Sequence, residues 1–266
     1  MMKEGPMDRK KLLLALFLAG HAGMTVWFAS VNAIAADAVQ LKTGARQAME
    51  ATLYKPAGAG PFPAVLILHT SSGLRPPDHA YASKLADEGY ICLVPDFFKA
   101  YGLGQGNRQQ TFTTHAQGIY ADFVAAIDML KKMQGAQADR IGAVGFSNGG
   151  YWALLLAANG QIQAGVSYYG AVTGAGTDKS LRVFQTAFTD KSSPVLVLHG
   201  ARDTTVDPQY AEFLVSMLKK ANVPHEFRLY PSAEHSFERG NLDSEAAADG
   251  WERTLRFLNA TLKKKQ

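Results

Sequence analysis

Gly145-Phe146-Ser147-Asn148-Gly149-Gly150 decides how this chain is read. The stretch fits G-x-S-x-G and stands between an apolar, strand-like run (141–144) and a helix-like one (151–158). A strand that turns straight into a helix leaves no room for side chains two positions before and two after the centre of the turn, and glycines fall at both places. The serine at the centre is held in a strained backbone conformation with its hydroxyl exposed. The helix behind it aims amides and the positive end of its dipole at the same spot. A glycine-rich turn whose serine only caps the helix is the competing reading. A strand before and a helix after favour a nucleophile.

Outward from this turn, strand-like and helix-like runs alternate. Strands are predicted at 48–54, 64–68, 91–94, 141–145, 164–168, 195–198 and 226–230. Helices are predicted at 78–88, 114–133, 149–158, 207–221 and 244–262. Ala64-Val65-Leu66-Ile67-Leu68 is short and continuously apolar, the pattern of a strand buried on both faces. On the 114–133 stretch, Ile119, Phe123, Ala126, Ile127 and Leu130 share one helical face. The alternation predicts an α/β domain: a mostly parallel, twisted sheet with right-handed crossovers and helices on both faces. Ligands of such sheets bind beyond the carboxyl ends of the strands, so the chemistry belongs to loops that follow strands.

A serine hydroxyl needs a base to take its proton. In a fold built on this elbow the partners follow in the order serine, acid, histidine. Downstream of Ser147 stand His199, His225 and His235. His235 follows the last strand and so lies on the catalytic edge. His225 opens that strand and lies at the opposite edge, and His199 ends a strand where it can support the site. For the acid, Asp203 comes early in the loop after 195–198. Asp207 precedes Pro208 and reads better as a helix N-cap. The acid fixes the tautomer of the base and stabilises its protonated form. Two amides are needed for the oxyanion. One is the N–H of Asn148; the other comes from His69-Thr70-Ser71-Ser72-Gly73, with Thr70 the first choice and Ser71 the second.

The 266 residues suffice for one large domain, and a hydrophobic content of 47% allows a substantial core. Arg9-Lys10-Lys11, the apolar run 12–20 and Ala33-Ile34-Ala35 together read as a signal peptide over residues 1–36, followed by a single domain over 37–266. A retained membrane anchor is the alternative. The expected location is therefore outside the cytoplasm, periplasmic or secreted, with no stable membrane partner once the signal is cleaved. Without Lys3, Arg9, Lys10, Lys11, Glu4 and Asp8 the formal charge falls from +4 to +2. So even a balance argues against a nucleic-acid partner. Lys263-Lys264-Lys265 reads as a solvated helix end. Cys92 is the single cysteine, in an apolar run, and reads as a buried inert thiol. No H-E-x-x-H occurs, so no metal is expected. Gly102-Leu103-Gly104-Gln105-Gly106 does not link a strand to a helix as a nucleotide loop does, and reads as a flexible loop near the site.

Several motifs in order carry a resemblance to a family. They are Val94-Pro95-Asp96-Phe97-Phe98, the elbow, Tyr168-Tyr169-Gly170, His199-Gly200-Ala201-Arg202-Asp203 and His235-Ser236-Phe237-Glu238-Arg239. Over about residues 63–239 the chain resembles the dienelactone hydrolase family of the α/β hydrolases. The resemblance implies an α/β-hydrolase fold with little or no lid, and hydrolysis of a small-molecule ester or lactone without a cofactor. It implies substrate contacts from Arg239, Ser71 and Tyr169. The enzyme that names the family has cysteine where Ser147 stands, glutamate where His69 stands, and a second substrate-binding arginine where Ala100 stands. These departures point to a general serine carboxylesterase rather than to dienelactone hydrolysis itself. The rival readings are a serine peptidase or acyltransferase on the same fold, and a non-catalytic binding relative. A peptidase of this kind carries an extra domain, for which the chain has no room.

Overall fold

The computed structural model describes residues 35–42, 48–170, 183, 184, 186–240 and 243–263. The expected signal peptide lies outside them except for Ala35 and Ala36, as do Lys264 and Lys265.

Among the described residues one sheet of eight strands forms the centre. In chain order the strands are β1 (Ala35–Leu41), β2 (Met49–Lys55), β3 (Phe62–Leu68), β4 (Ile91–Pro95), β5 (Ala136–Phe146), β6 (Ala164–Tyr168), β7 (Val195–Gly200) and β8 (His225–Tyr230). Their spatial order is β1-β2-β4-β3-β5-β6-β7-β8. From β4 through β8 every neighbouring pair is parallel; β1 and β2 join antiparallel at one end. The helices around the sheet include α1 (Pro76–Asp87), α2 (Phe97–Ala100), α3 (Ala116–Lys132), α4 (Asn148–Ala158), α5 (Pro208–Lys220) and α6 (Ser244–Leu262).

The two-residue period of a strand splits the core in two. Ala64, Leu66 and Leu68 of β3 pack with Phe123, Trp152 and Leu214 of α3, α4 and α5. Val65 and Ile67, their neighbours in sequence, pack on the other face with Leu85 of α1 and Leu258 of α6. Each of these strand side chains is wholly buried. Burying one such aliphatic side chain stabilises the fold by about 1.5–3 kcal/mol, which is why an apolar run without alternation becomes a central strand. At the β8 end of the sheet the residues alternate in exposure, as befits a strand covered on one side.

Most elements fall within a few residues of the positions expected from the sequence. Three features were not expected. β1 is rich in alanine and carries little strand signal; it forms against the open edge of β2, with Ala36 opposite Tyr54 and Val39 opposite Ala51. β5 begins at Ala136, five residues before the expected start, and Ala136 pairs with Phe62 ahead of an irregularity in β3. α2 follows directly on Pro95, started by Asp96, whose carboxylate accepts from Lys99 N at 3.1 Å. Cys92 is buried and free, its thiol pushed up by burial.

Candidate active site

The elbow after β5 is as tight as its sequence requires. A Cβ on Gly145 would lie 2.0 Å from the carbonyl oxygen of Gly149, and one on Gly149 would lie 2.0 Å from that of Leu68. Ser147 itself has φ +52° and ψ −108°, a conformation few side-chain-bearing residues adopt. Its amide is anchored on Tyr168 O at 3.0 Å, and Tyr151 N binds its carbonyl at 3.2 Å as α4 begins. Asn148 is the first residue of α4, so its N–H has no acceptor within the helix.

His235 follows β8. Its Nδ1 lies 2.7 Å from Asp203 Oδ2. A carboxylate only accepts, so Nδ1 carries the proton and Nε2 is the nitrogen left to take one. The ring rests on Tyr169, with centroids 4.4 Å apart. Among the described residues no hydrogen bond joins Ser147 Oγ to His235. Such contacts commonly tighten only when substrate is bound.

Asp203 is nearly inaccessible to solvent and held from every side. Its Oδ1 accepts from Thr205 N at 2.8 Å and Val206 N at 2.9 Å. Its Oδ2 also lies 3.4 Å from Nε2 of His199, whose N–H is shared between this carboxylate and the carbonyl of Val206 at 2.9 Å. Burial alone would raise the carboxyl pKa. The bonds from His199 and His235, the charge of His235 and the amide of Val206 outweigh it and hold the group below the usual carboxylate range. Asp207 serves elsewhere. It caps α5, accepting from Gln209 N at 2.9 Å ahead of Pro208.

The loop after β3 lies beside α4. Gly149 N donates to His69 O at 3.1 Å, and Asn148 Nδ2 donates to Ser71 Oγ at 3.3 Å. The glycine-rich stretch at 102–106 reaches the same loop, with Gln105 Nε2 at 3.4 Å from Ser72 Oγ. Thr111, which nothing in the sequence marked, is buried between Trp152 Nε1 (3.4 Å) and Asn148 Oδ1 (3.5 Å). No periodicity or motif could have pointed to it, because its role depends on contacts 37 and 41 residues away.

Two of the expected substrate contacts have distinct surroundings. Tyr169 is fully buried, and its ring lies against that of His235. Arg239 pairs with Glu238 at 3.4 Å and lines a cavity of about 320 Å³ between α1 and α6, together with Tyr81, Lys84 and Trp251. Ser147, Asp203 and His235 are not part of that cavity's lining. The described residues hold no group of three or more His, Cys, Asp or Glu able to bind a metal ion. No described helix is long and apolar enough to cross a membrane.

The model of the dienelactone hydrolase family matches residues 49–262, from β2 through α6. The chain belongs to the dienelactone hydrolase family. A protein of Escherichia coli O157:H7 assigned as a carboxymethylenebutenolidase is 30% identical over 214 residues, which cover 75% of this chain and 77% of that one. A Bradyrhizobium protein assigned as a 2-oxo-3-(5-oxofuran-2-ylidene)propanoate lactonase is 26% identical over 238 residues, 86% of this chain and 96% of its own. Among solved structures, one from Klebsiella pneumoniae assigned as a dienelactone hydrolase superposes with a TM-score of 0.73 at 26% identity, covering 85% of this chain and 99% of that one. Like such relatives, this member of the family is an α/β hydrolase in fold.

Proposed function

We propose that this dienelactone hydrolase family member cleaves a carboxylic ester or lactone through an acyl-enzyme on Ser147. The observation that carries the reading is the 2.7 Å bond from His235 Nδ1 to Asp203 Oδ2, on the same sheet edge as the strained elbow. His235 Nε2 takes the hydroxyl proton as Ser147 Oγ attacks the carbonyl carbon. The N–H of Asn148 and that of Thr70, with Ser71 the alternative, face the oxygen that gains charge. His235 then gives its proton to the leaving alkoxide. Water, deprotonated by the same nitrogen, releases the acid and restores Ser147. The chemistry needs no cofactor and no metal. A series of p-nitrophenyl esters of graded acyl length, some carrying a carboxylate, tests the reading: turnover of at least some is expected, and no turnover of any would count against it.

The family resemblance also suggests that Arg239 favours substrates with an anionic group. A guanidinium binds a carboxylate at two points, which a lysine does not reproduce. Here Glu238 competes for it and Ala100 supplies no second cation, so the preference is expected to be small, about 1.5 kcal/mol or roughly tenfold. The measurement is kcat/KM for a carboxylated ester over its neutral isostere, in the wild type and in Arg239→Ala. A ratio unchanged by the substitution would remove Arg239 from substrate recognition.

We also propose export, with cleavage after Ala33-Ile34-Ala35 and a mature chain that starts at Ala36 or Asp37. Supporting this, β1 begins at Ala35, so such a cut removes one or two residues from the folded domain. N-terminal sequencing of the exported protein is expected to find Ala36 or Asp37 first. An intact N-terminus in the membrane fraction would favour a retained anchor.

A further inference from the structure

His69 is the first residue after β3, the strand that pairs with the elbow strand β5. It is wholly buried. Its ring stacks on Phe97 at 3.9 Å and meets the edge of Phe98 at 5.3 Å. Nδ1 lies 2.8 Å from the carbonyl oxygen of Thr70. A carbonyl only accepts, so Nδ1 carries the proton and Nε2 is bare in the neutral ring. Nε2 is buried without a hydrogen-bond partner, 3.8 Å from Asp96 Oδ1. Burial pushes the imidazole pKa down to about 4, against the opposing pull of the Thr70 bond and the Asp96 charge. The ring is therefore neutral near pH 7, with its proton fixed on Nδ1.

The loop that His69 opens is clamped peptide by peptide. His69 O accepts from Gly149 N, and Thr70 O accepts from Gly73 N at 3.2 Å as well as from the imidazole. Thr70 Oγ1 accepts from Ser72 N at 3.2 Å. The amides of Ser72 and Gly73 are thus used within the loop. Those of Thr70 and Ser71 have no acceptor among the described residues. In a trans peptide the C=O and N–H point in opposite directions. Holding His69 O and Thr70 O therefore sets the directions of the Thr70 and Ser71 N–H groups.

We infer that His69 is a positioning residue of the oxyanion hole: its Nδ1–H holds the Thr70 carbonyl and so fixes the N–H of Ser71, in the same peptide, as a loop amide that receives the developing negative charge. The inference rests on the reading of Ser147 as the nucleophile. His69 touches no substrate; it works by making this one donor rigid before the reaction starts, which is where such stabilisation arises. Packing against Phe97 and Phe98 keeps the ring from turning away.

Three substitutions separate this role from simple core packing. His69→Phe keeps an aromatic ring against Phe97 and loses the donor. His69→Asn places an amide nitrogen the same number of bonds from the backbone as Nδ1. His69→Gln places it where Nε2 stands. For His69→Phe, kcat is expected to fall on the order of 10²-fold with KM little changed, the size of losing one oxyanion donor. Affinity for a boronate transition-state analogue should fall in parallel, while affinity for the product carboxylate holds. His69→Asn should recover most of kcat and His69→Gln should not. Turnover in His69→Phe equal to wild type, or equal losses in the Asn and Gln variants, would overturn the inference. Labelling of Ser147 by a fluorophosphonate in wild type and variants keeps the two claims apart. Labelled protein with unchanged turnover in His69→Phe refutes the positioning role alone. Wild-type protein that neither labels nor turns over esters refutes the nucleophile reading and this inference with it.

Discussion

Ser147→Ala is expected to lower ester turnover on the order of 10⁴-fold or more while leaving the fold intact. Both halves of the expectation come from the elbow. Alanine keeps the Cβ, so the strain of the positive φ, about 1–3 kcal/mol, is the same in both proteins and stability changes little. What disappears is one oxygen, at the position where β5, α4 and the loop after β3 converge. Any residual rate comes from the oxyanion amides and from substrate binding. Steady-state kcat and KM on a reactive ester, with a thermal melt of the same preparation, check it. Near-normal turnover in well-folded protein would remove Ser147 from the mechanism.

The second large effect belongs to Asp203, and its neighbour supplies the control. In Asp203→Asn the acceptor facing His235 Nδ1 is lost or must compete with an amide nitrogen. The imidazole then favours the tautomer with the proton on Nε2, the nitrogen that has to take the serine proton. A loss of kcat on the order of 10⁴-fold is expected. Asp207→Asn should do almost nothing, because asparagine caps a helix about as well as aspartate and Asp207 only caps α5. A reversed ranking would make Asp207 the acid. Asp203 also gives a pH signature. Its folded pKa lies below the ordinary 3.8, so it adds stability above that pH that is lost as the pH falls through and below it. Asp203→Asn should flatten that acid limb of the stability curve.

The sheet was legible where burial on both faces left no room for polar residues. Ala64-Val65-Leu66-Ile67-Leu68 and Ile91-Cys92-Leu93-Val94 announce themselves as central strands, and the structure seats alternate members of each in the two cores. β1 was not legible, because Ala-Ala-Asp-Ala-Val-Gln-Leu has no strand pattern and is extended only by pairing with β2. Ser147 and His235 could be singled out because motif context and position after a strand constrain them. Asp203 was separated from Asp207 because a proline behind Asp207 explains that residue as a cap.

The rest of the site depends on direction, which spacing does not encode. Four residues separate His235 from Arg239, and the short 3-10 turn Phe237–Arg239 puts Arg239 in the lining of the cavity between α1 and α6. The family resemblance implied a substrate contact from Tyr169; its buried ring lies against that of His235. Thr111 and His69 act through contacts that no local pattern marks. The imidazole bond to Thr70 appears only once Phe97 and Phe98 of α2 are packed against the ring.

The most direct test of the central claim is to find where the acyl group goes. The protein is treated with a fluorophosphonate, or trapped during turnover of a slowly released ester, then digested and mapped by mass spectrometry. A single adduct on the peptide that carries Ser147, absent in Ser147→Ala, is the predicted result. An adduct on any other residue, or ester hydrolysis with no adduct at Ser147, would contradict the account.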